Sequence, residues 1–214
     1  MEFDLSFAVS ILPDLLRGAV VTFEATIAGF AVSLLGGLLL AVGRRSRLSR
    51  ACTAYIEFMR NTPLLVQLYF IFYVLPLAGL TLGAMATGIL ALGLNYSAYI
   101  AEVYRAGIDG VPRGQWEACR SLGFSRWDSW TRIVLPQAIP PTVPVLGNYV
   151  IGMFKDTPLL ATITIPEMFN AAMQVAGSTY RYNEPYTLVA LIFLAMSYPA
   201  SLLVRRLEGR FARR

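Results

Sequence analysis

Long apolar stretches, separated by short polar connections, dominate the chain. Residues 61–101 contain no Asp, Glu, Lys or Arg, residues 133–154 and 185–204 contain none either, and residues 18–42 contain one, Glu24. A bilayer-spanning helix needs roughly 20 mostly apolar residues, and these stretches lack the polar face of a helix in a soluble core. The pattern therefore predicts an all-α integral membrane protein. Its five predicted transmembrane helices are about 18–42, 61–76, 82–101, 137–154 and 186–204.

Two shorter features lie between these spans. Pro76 and Gly79 interrupt the longest charge-free block and predict a tight turn between the second and third spans. The apolar segment 157–166 is too short to cross a bilayer. We expect it to form a re-entrant or half-buried piece after the fourth span. The whole chain, residues 1–214, is expected to be a single transmembrane domain.

The basic residues are distributed unevenly over the connections. Fifteen of the 18 lysines and arginines lie in segments 43–60, 102–136 and 205–214, which alternate with segments that carry the other three. Cytoplasmic loops of membrane proteins are enriched in Lys and Arg. The distribution predicts an N-terminus outside and a C-terminus inside. It also explains the pI of about 9.4 without a nucleic-acid partner.

Several kinds of chemistry are not expected. Glu2 and Asp4 stand where a cleaved secretory signal would carry basic residues. Cys52 and Cys119 fall in predicted cytoplasmic segments, so no disulfide is expected. The chain has no histidine, which leaves a zinc or haem site without obvious ligands, and it has no glycine-rich lysine motif for nucleotide phosphates. We expect no metal or cofactor in this chain and no enzymatic activity of its own.

The longest predicted cytoplasmic connection, residues 102–136, contains signals for two short helices. Pro112 can open the first helix and Gly123 can end it. Ser125 and Asp128 form a capping pair for a second helix, after which the chain re-enters the membrane. The connection also carries four aromatic residues, which by themselves fit a membrane-interface anchor equally well. They are Trp116, Phe124, Trp127 and Trp130.

One pattern in this connection has a fixed spacing. It reads Glu117-Ala118-Cys119, three residues, Gly123, nine residues, Ile133, one residue, Leu135-Pro136. This pattern resembles the EAA loop of ATP-binding-cassette (ABC) importer permeases and departs from it only by Cys119 in place of the second alanine. The resemblance implies a type I ABC importer permease fold whose loop is a coupling helix seated in an ATP-binding subunit. The ATPase-coupling residues that it implies are Glu117, Ala118, Cys119, Gly123, Ile133, Leu135 and Pro136.

Two further segments resemble the polar amino-acid branch of that family, the permeases for histidine, glutamine and arginine. They are residues 57–65, EFMRNTPLL, and residues 155–160, KDTPLL, in which Pro158 replaces a more usual serine. The resemblance covers about residues 50–205. It implies a multi-pass subunit of the bacterial inner membrane that carries amino acids or amino-acid-like solutes. The implied partners are an ATP-binding subunit dimer that holds ATP and Mg²⁺, a second permease subunit, identical or sister, an external solute-binding protein, and membrane lipid.

A free amino acid carries a carboxylate and an ammonium group, so a site at membrane depth needs opposite charges or helix ends. The candidate residues for the substrate pathway are Glu24, Arg60, Asn61, Asn148, Lys155 and Asp156. Each has an alternative role. Arg60 is equally explained as a cytoplasmic anchor. For Lys155 and Asp156 a structural role is favoured, in which the neighbours neutralise each other while shaping a broken helix.

The sequence is also compatible with other functions. Another small solute, such as an osmolyte or an organic cation, would suit the same family. A secondary transporter or channel is the alternative from another class, but such proteins often show internal repeats and dedicated intramembrane carboxylates. A membrane enzyme is disfavoured, because the span-embedded carboxylates are too scattered for paired acid–base chemistry.

Overall fold

Helices make up most of the computed structural model, which describes residues 3–211. Glu2 and the basic residues Arg213 and Arg214 lie outside this part of the chain. The long helices are α1 (Leu5–Gly43), α4 (Ala84–Asp109), α7 (Leu135–Asp156) and α9 (Asn183–Phe211). The shorter ones are α2 (Ser49–Asn61), α3 (Leu64–Tyr69), α5 (Arg113–Ser121), α6 (Arg126–Asp128) and α8 (Met168–Thr179).

Small residues bring α1 and α4 into close contact along much of their length. A Cβ atom on Gly37 of α1 would lie 2.6 Å from Ile100 Cγ2, and one on Gly93 of α4 would lie 2.5 Å from Val32 Cγ1. Membrane helices associate through such small residues because lipid provides no hydrophobic force between helices. Helices α2, α3, α7 and α8 pack on this pair, whereas α9 packs mainly on α7.

A sharp bend of 107° separates α2 from the helical segment Leu64–Ala78. The bend follows from Pro63, since the residue before a proline is pushed out of the α-helical region, and Thr62 is extended at φ −112° and ψ 138°. The side-chain amide of Gln67 donates to the Met59 carbonyl at 3.0 Å and to the Thr62 hydroxyl at 2.6 Å. These bonds satisfy polar groups that the break leaves free.

The predicted second span, 61–76, corresponds to the segment after this bend. It is not one regular α-helix, because α3 passes into a π-helix at Phe70–Val74 and a 3₁₀-helix at Leu75–Ala78. Gly79 follows with φ +84°, which agrees with the turn predicted there.

The second helix predicted in the connection 102–136 is not a separate unit. The chain runs from α6 through a π-helix at Ser129–Val134 directly into α7. The second helix begins at the predicted cap, but the expectation that it is a separate short helix was wrong, because it continues into α7. Pro136 lies in the first turn of α7. Proline has no backbone N–H, but at this position α7 does not use the N–H for a hydrogen bond within the helix.

The segment after α7 turns back into the protein. Thr157–Ile163 forms a 3₁₀-helix, and Leu160 and Ile163 are 1% and 0% exposed. The next helix, α8, was not predicted from the sequence. It packs on α1 and α9, where Met168 and Ala172 share a core with Leu15.

Large apolar side chains cover much of the outer surface, as on α1 and α9. Among residues 3–211, three helices are long and apolar enough to cross a membrane, namely α1, α4 and α9. The bent pair α2 and Leu64–Ala78 meets the same criterion together and makes four. α7 does not meet it, because its prolines, Gln137 and Asn148 lower its mean hydropathy. The structure thus supports an integral membrane protein with several apolar helices.

Candidate functional site

A cavity of about 730 Å³, lined by charged, amide-bearing and aromatic residues, lies beside the bend between α2 and α3. Its other walls are the middle of α4 and the C-terminal half of α7. Its charged and amide-bearing residues are Arg60, Asn61, Asn95, Asn148 and Asp156, and its aromatic residues are Tyr96, Tyr99 and Tyr149. Tyr96 and Tyr99 lie near the middle of the 26-residue α4, so the cavity lies beside the middle of this helix.

Asp156 is the carboxylate of this cavity. The Tyr96 hydroxyl donates a 2.7 Å hydrogen bond to its Oδ2 atom. Gly152 lies one turn earlier on α7, and a Cβ atom at this position would be 3.3 Å from the same hydroxyl. The absence of a side chain at position 152 therefore allows the tyrosine to reach the carboxylate.

Arg60 is the cation of the cavity, at the end of α2. Its guanidinium carbon lies 5.6 Å from the centre of the Tyr99 ring, within the range of a cation–π contact. The Tyr99 and Tyr149 ring centres are 5.8 Å apart, and those of Tyr96 and Tyr149 are 6.2 Å apart. The cavity therefore combines one cation and one carboxylate with a wall of three aromatic rings.

Two amides connect the cavity to its surroundings. Asn95 donates to the Gln67 side chain at 3.1 Å and to the Met59 carbonyl at 3.2 Å, which ties α4 to both sides of the bend. Asn148 donates to Glu208 of α9 at 3.1 Å. The buried side chain of Asn95 therefore holds α4 to the bend, whereas Asn148 joins α7 to α9 through a hydrogen bond between exposed side chains.

The structure brings together four of the six residues proposed for the substrate pathway: Arg60, Asn61, Asn148 and Asp156. Glu24 and Lys155 do not line the cavity and have exposed side chains. No ion pair joins Lys155 to Asp156 within residues 3–211. Arg60 lies at the bend opposite Tyr99, because Pro63 ends α2 beside the middle of α4.

The aromatic wall was not part of the sequence-based site, although the sequence contains a signal for it. Tyr96 and Tyr99 are three residues apart on α4, and Asn148, Gly152 and Asp156 are spaced by four on α7. Residues three or four apart share a helix face. These spacings could have placed the two polar faces opposite each other.

The loop at 102–136, here called the EAA-type loop, contains helix α5 and a glycine-dependent turn. Gly123 has φ +69°. Its N–H donates to the Arg120 carbonyl at 3.1 Å, and the Phe124 N–H donates to the Cys119 carbonyl at 3.0 Å. This pair of bonds is a Schellman motif, so the predicted helix end at Gly123 is confirmed.

The segment after this turn begins with the predicted cap. The Asp128 N–H donates to the Ser125 hydroxyl at 3.0 Å. Farther on, the ring of Trp130 packs edge-on against Trp116 of α5 with centres 5.2 Å apart. The two helical parts of the loop are thereby held as one unit.

The residues of the EAA-type pattern differ in exposure. Glu117, Ala118, Gly123 and Pro136 are exposed, Ile133 and Leu135 are half-buried, and Cys119 is 3% exposed. Two large apolar side chains beside them were not in the sequence-based set. Leu122 is 74% and Trp127 76% exposed, which makes this face of the loop suitable for contact with another protein.

Ion pairs join the two arginines that follow α1 to the C-terminal part of α4. Glu102 pairs with Arg44 and with Arg105, the latter at 2.7 Å. Asp109 pairs with Arg105 at 2.9 Å and with Arg45 at 3.2 Å. The Arg45 guanidinium also lies 5.4 Å from the Trp130 ring centre, so the network reaches the EAA-type loop.

Comparison with known proteins decides the family. Residues 33–213 match the family model described as binding-protein-dependent transport system inner membrane component. The chain belongs to this family.

Two relatives are similar to the chain over nearly its whole length. It is 45% identical, over 99% of its length and 93% of the relative's, to the probable amino-acid ABC transporter permease protein y4tG of Sinorhizobium fredii. It is 32% identical to the glutamine transport system permease protein GlnP of Escherichia coli (strain K12), with 98% of each chain covered.

A solved structure confirms the fold of this family member. The crystal structure of an amino acid ABC transporter with histidines aligns with a TM-score of 0.91 and 36% identity, covering 98% of this chain and 100% of the other. The chain is therefore a multi-pass inner-membrane permease subunit of an ABC transporter and not itself catalytic, since ATP hydrolysis belongs to a separate subunit. These findings confirm the family indicated by the EAA-type pattern and favour it over a secondary transporter or channel.

Proposed function

We propose that this permease carries amino acids or amino-acid-like solutes through the cavity beside the α2–α3 bend. The observation that carries the proposal is that one cation, Arg60, and one carboxylate, Asp156, line the same cavity. The amino-acid permeases to which the chain is similar, including the glutamine permease, agree with this substrate class.

The cavity suits the two charges of a free amino acid. Arg60 would bind the α-carboxylate, because a guanidinium presents donors that match a carboxylate in a bidentate manner. Asp156 would accept from the ammonium group. Asn61 and Asn148 would supply further hydrogen bonds, and the tyrosine rings would contact apolar or cationic substrate side chains.

We further propose five membrane spans with the N-terminus outside and the C-terminus inside. The spans would be α1, the segment Leu64–Ala78 that follows the bend, α4, α7 and α9. This arrangement places the EAA-type loop in the cytoplasm, in accord with the positive-inside distribution of arginines. A path would be completed by a second permease subunit, identical or sister. Glu24 and Lys155, which are exposed outside the cavity, would then face that subunit.

The coupling proposal concerns the exposed face of the EAA-type loop. An ATP-binding subunit dimer, which holds ATP and Mg²⁺, would receive α5 in a groove, while an external solute-binding protein delivers the substrate. Glu117 and Ala118 would contact the groove, and Leu122 and Trp127 would supply apolar anchors for it. Gly123 and Cys119 would shape the loop, and Ile133, Leu135 and Pro136 would transmit its movement into α7.

The test is reconstitution with the ATPase and binding protein encoded by neighbouring genes, followed by measurement of amino-acid-stimulated ATP hydrolysis. Glu117→Arg and Gly123→Pro variants should lose the stimulation, and co-purification reports whether each variant still assembles. The matched control is Asp14→Arg on α1, whose exposed carboxylate pairs with Arg17 away from the loop and the cavity, and it should keep coupling. A wild-type complex that assembles but hydrolyses ATP equally with and without amino acids would overturn the proposed substrate class.

A further inference from the structure

Three arginines converge on one small cavity beside the EAA-type loop. This cavity of about 470 Å³ is lined by Arg45, Arg120 and Arg126 together with aromatic residues of the loop, and no carboxylate lines it. Arg45 is paired with Asp109 at 3.2 Å, but Arg120 and Arg126 take part in no ion pair among residues 3–211. The cavity thus brings together three positive charges, of which only that of Arg45 is balanced by a carboxylate among the described residues.

A second, apolar cavity of about 610 Å³ adjoins it and shares Arg45, Arg126 and Trp130. Its remaining walls are mainly apolar and come from α1, α4 and α7, with Leu38, Val42 and Ile139 among them. These three side chains are 51%, 62% and 52% exposed. The two cavities together form an amphipathic groove, apolar along the helices and basic at the end near the loop.

We infer that this groove binds one anionic diacyl phospholipid, with its phosphate at the arginines and an acyl chain along Leu38, Val42 and Ile139. Basic pockets between transmembrane helices on the cytoplasmic side are suited to anionic headgroups. Guanidinium groups match phosphate oxygens in a bidentate manner. Tryptophan favours the headgroup level of a membrane, and Trp130 stands where the apolar and basic cavities meet.

The placement of the lipid in the cytoplasmic leaflet depends on the orientation proposed above. The existence of the groove does not depend on that orientation, because the arginines and apolar side chains that line it have the same positions in either orientation. Arg120 belongs to α5, whereas Arg45 follows α1 and Arg126 begins α6. A bound phosphate therefore contacts the EAA-type loop and the end of α1 at once, and it neutralises arginines that otherwise repel one another across the joint.

The experiment measures lipid binding to the assembled transporter, purified in detergent with its ATPase and binding protein. Native mass spectrometry would count phosphatidylglycerol retained from mixtures with phosphatidylcholine. The double variant Arg120→Gln/Arg126→Gln is compared with the matched double variant Arg205→Gln/Arg206→Gln on α9, which removes the same charge from the same predicted side. An Ile139→Trp variant fills the apolar part without changing charge.

Phosphatidylglycerol should be retained in preference to phosphatidylcholine, and its affinity should fall about fivefold for each groove arginine removed. Ile139→Trp should also lower retention, and the Arg205/Arg206 control should not. Equal losses in both double variants would overturn the groove as the site, because only total charge would then matter. Retention by the isolated chain but not by the assembled transporter would also overturn the inference, since the ATPase would then cover the arginines. Amino-acid-stimulated hydrolysis, measured in parallel, separates these results from failure of the proposed transport function.

Discussion

The hydroxyl of Tyr96 donates a 2.7 Å hydrogen bond to Asp156, which joins the middle of α4 to the last residue of α7. A carboxylate at this end of a helix meets the negative end of the helix dipole. The tyrosine hydroxyl offsets part of that penalty and holds the carboxylate beside the cavity. Movement of α7 relative to α4 would break this bond, so the cavity's only described carboxylate is linked to the arrangement of the two helices.

Replacing Asp156 by Asn should lower amino-acid uptake at least about tenfold, since a hydrogen bond to a charged partner contributes roughly 1.5–3 kcal/mol. Tyr96→Phe should have a smaller effect in the same direction, because the carboxylate stays but loses its orientation. Uptake into proteoliposomes, normalised to assembled complex, measures both. Tyr198→Phe, on the exposed surface of α9, is the control. Wild-type uptake in Asp156→Asn would contradict a substrate contact at this residue.

Arg60→Gln distinguishes a substrate contact from an anchor of membrane topology. If Arg60 binds the substrate carboxylate, the variant should insert and assemble normally but show an uptake KM raised about tenfold, given the typical strength of a charge-assisted bond. Arg50→Gln, exposed on the same helix, should keep the wild-type KM. If both variants lower the amount of inserted protein and leave KM unchanged, Arg60 acts as an anchor.

The sequence predicted the apolar blocks well because absence of charge is a local property. Leu5–Gly43 and Asn183–Phe211 contain two of the predicted spans, and Ala84–Asp109 contains all of a third except its first two residues. α2 was missed because its segment was assigned to a basic connection. Cys52, Tyr55, Ile56 and Met59 nevertheless follow the i, i+3, i+4, i+7 spacing of an amphipathic helix.

The contents of the cavity could be predicted only in part. Charged residues in apolar surroundings are conspicuous in a sequence, so Arg60 and Asp156 were found. The tyrosines were not, because a tyrosine in an apolar block is equally typical of a core. Glu24 and Lys155 lie outside the cavity because of the way α1 and α7 are rotated about their axes. Packing sets this rotation, for example the contact of Gly152 with Tyr96.

Glu167 gives a prediction about stability. This residue is 0% exposed and caps α8, since its carboxylate accepts from the backbone N–H groups of Phe169 at 2.9 Å and Asn170 at 2.5 Å. Glu167→Ala should cost about 2 kcal/mol, because the cap is lost and buried donors are left without partners. Thermal unfolding in detergent measures the change. Ser178→Ala, exposed on the same helix, should stay within about 0.5 kcal/mol, and an equal effect of both changes would contradict the capping role.

Asp4 gives a prediction about pH. Hydrogen bonds from the Ser6 hydroxyl, the Phe7 backbone and Arg181 hold the pKa of Asp4 well below its usual 3.8. A lowered folded-state pKa means that the contribution is complete above the unfolded value and is lost as the pH falls through the folded value. The difference in Tm between wild type and Asp4→Asn should therefore be constant from pH about 6 down to about 4 and shrink toward pH about 2. A difference that shrinks already near neutral pH would contradict this assignment.

Gly123 separates backbone conformation from side-chain contact in the EAA-type loop. Nothing lies within 4 Å of a Cβ atom added at Gly123 or at Gly114 of α5, but only Gly123 has a positive φ, of +69°. Gly123→Ala should therefore destabilise the turn by about 1 kcal/mol and lower amino-acid-stimulated hydrolysis, whereas Gly114→Ala should stabilise α5 by up to about 1 kcal/mol. Gly123→Asn should fall between Ala and wild type, since Asn tolerates this conformation better than Ala does. Stimulated ATP hydrolysis by the reconstituted complex measures all three. If Gly114→Ala impairs coupling as much as Gly123→Ala, crowding at the partner surface and not the left-handed turn limits coupling.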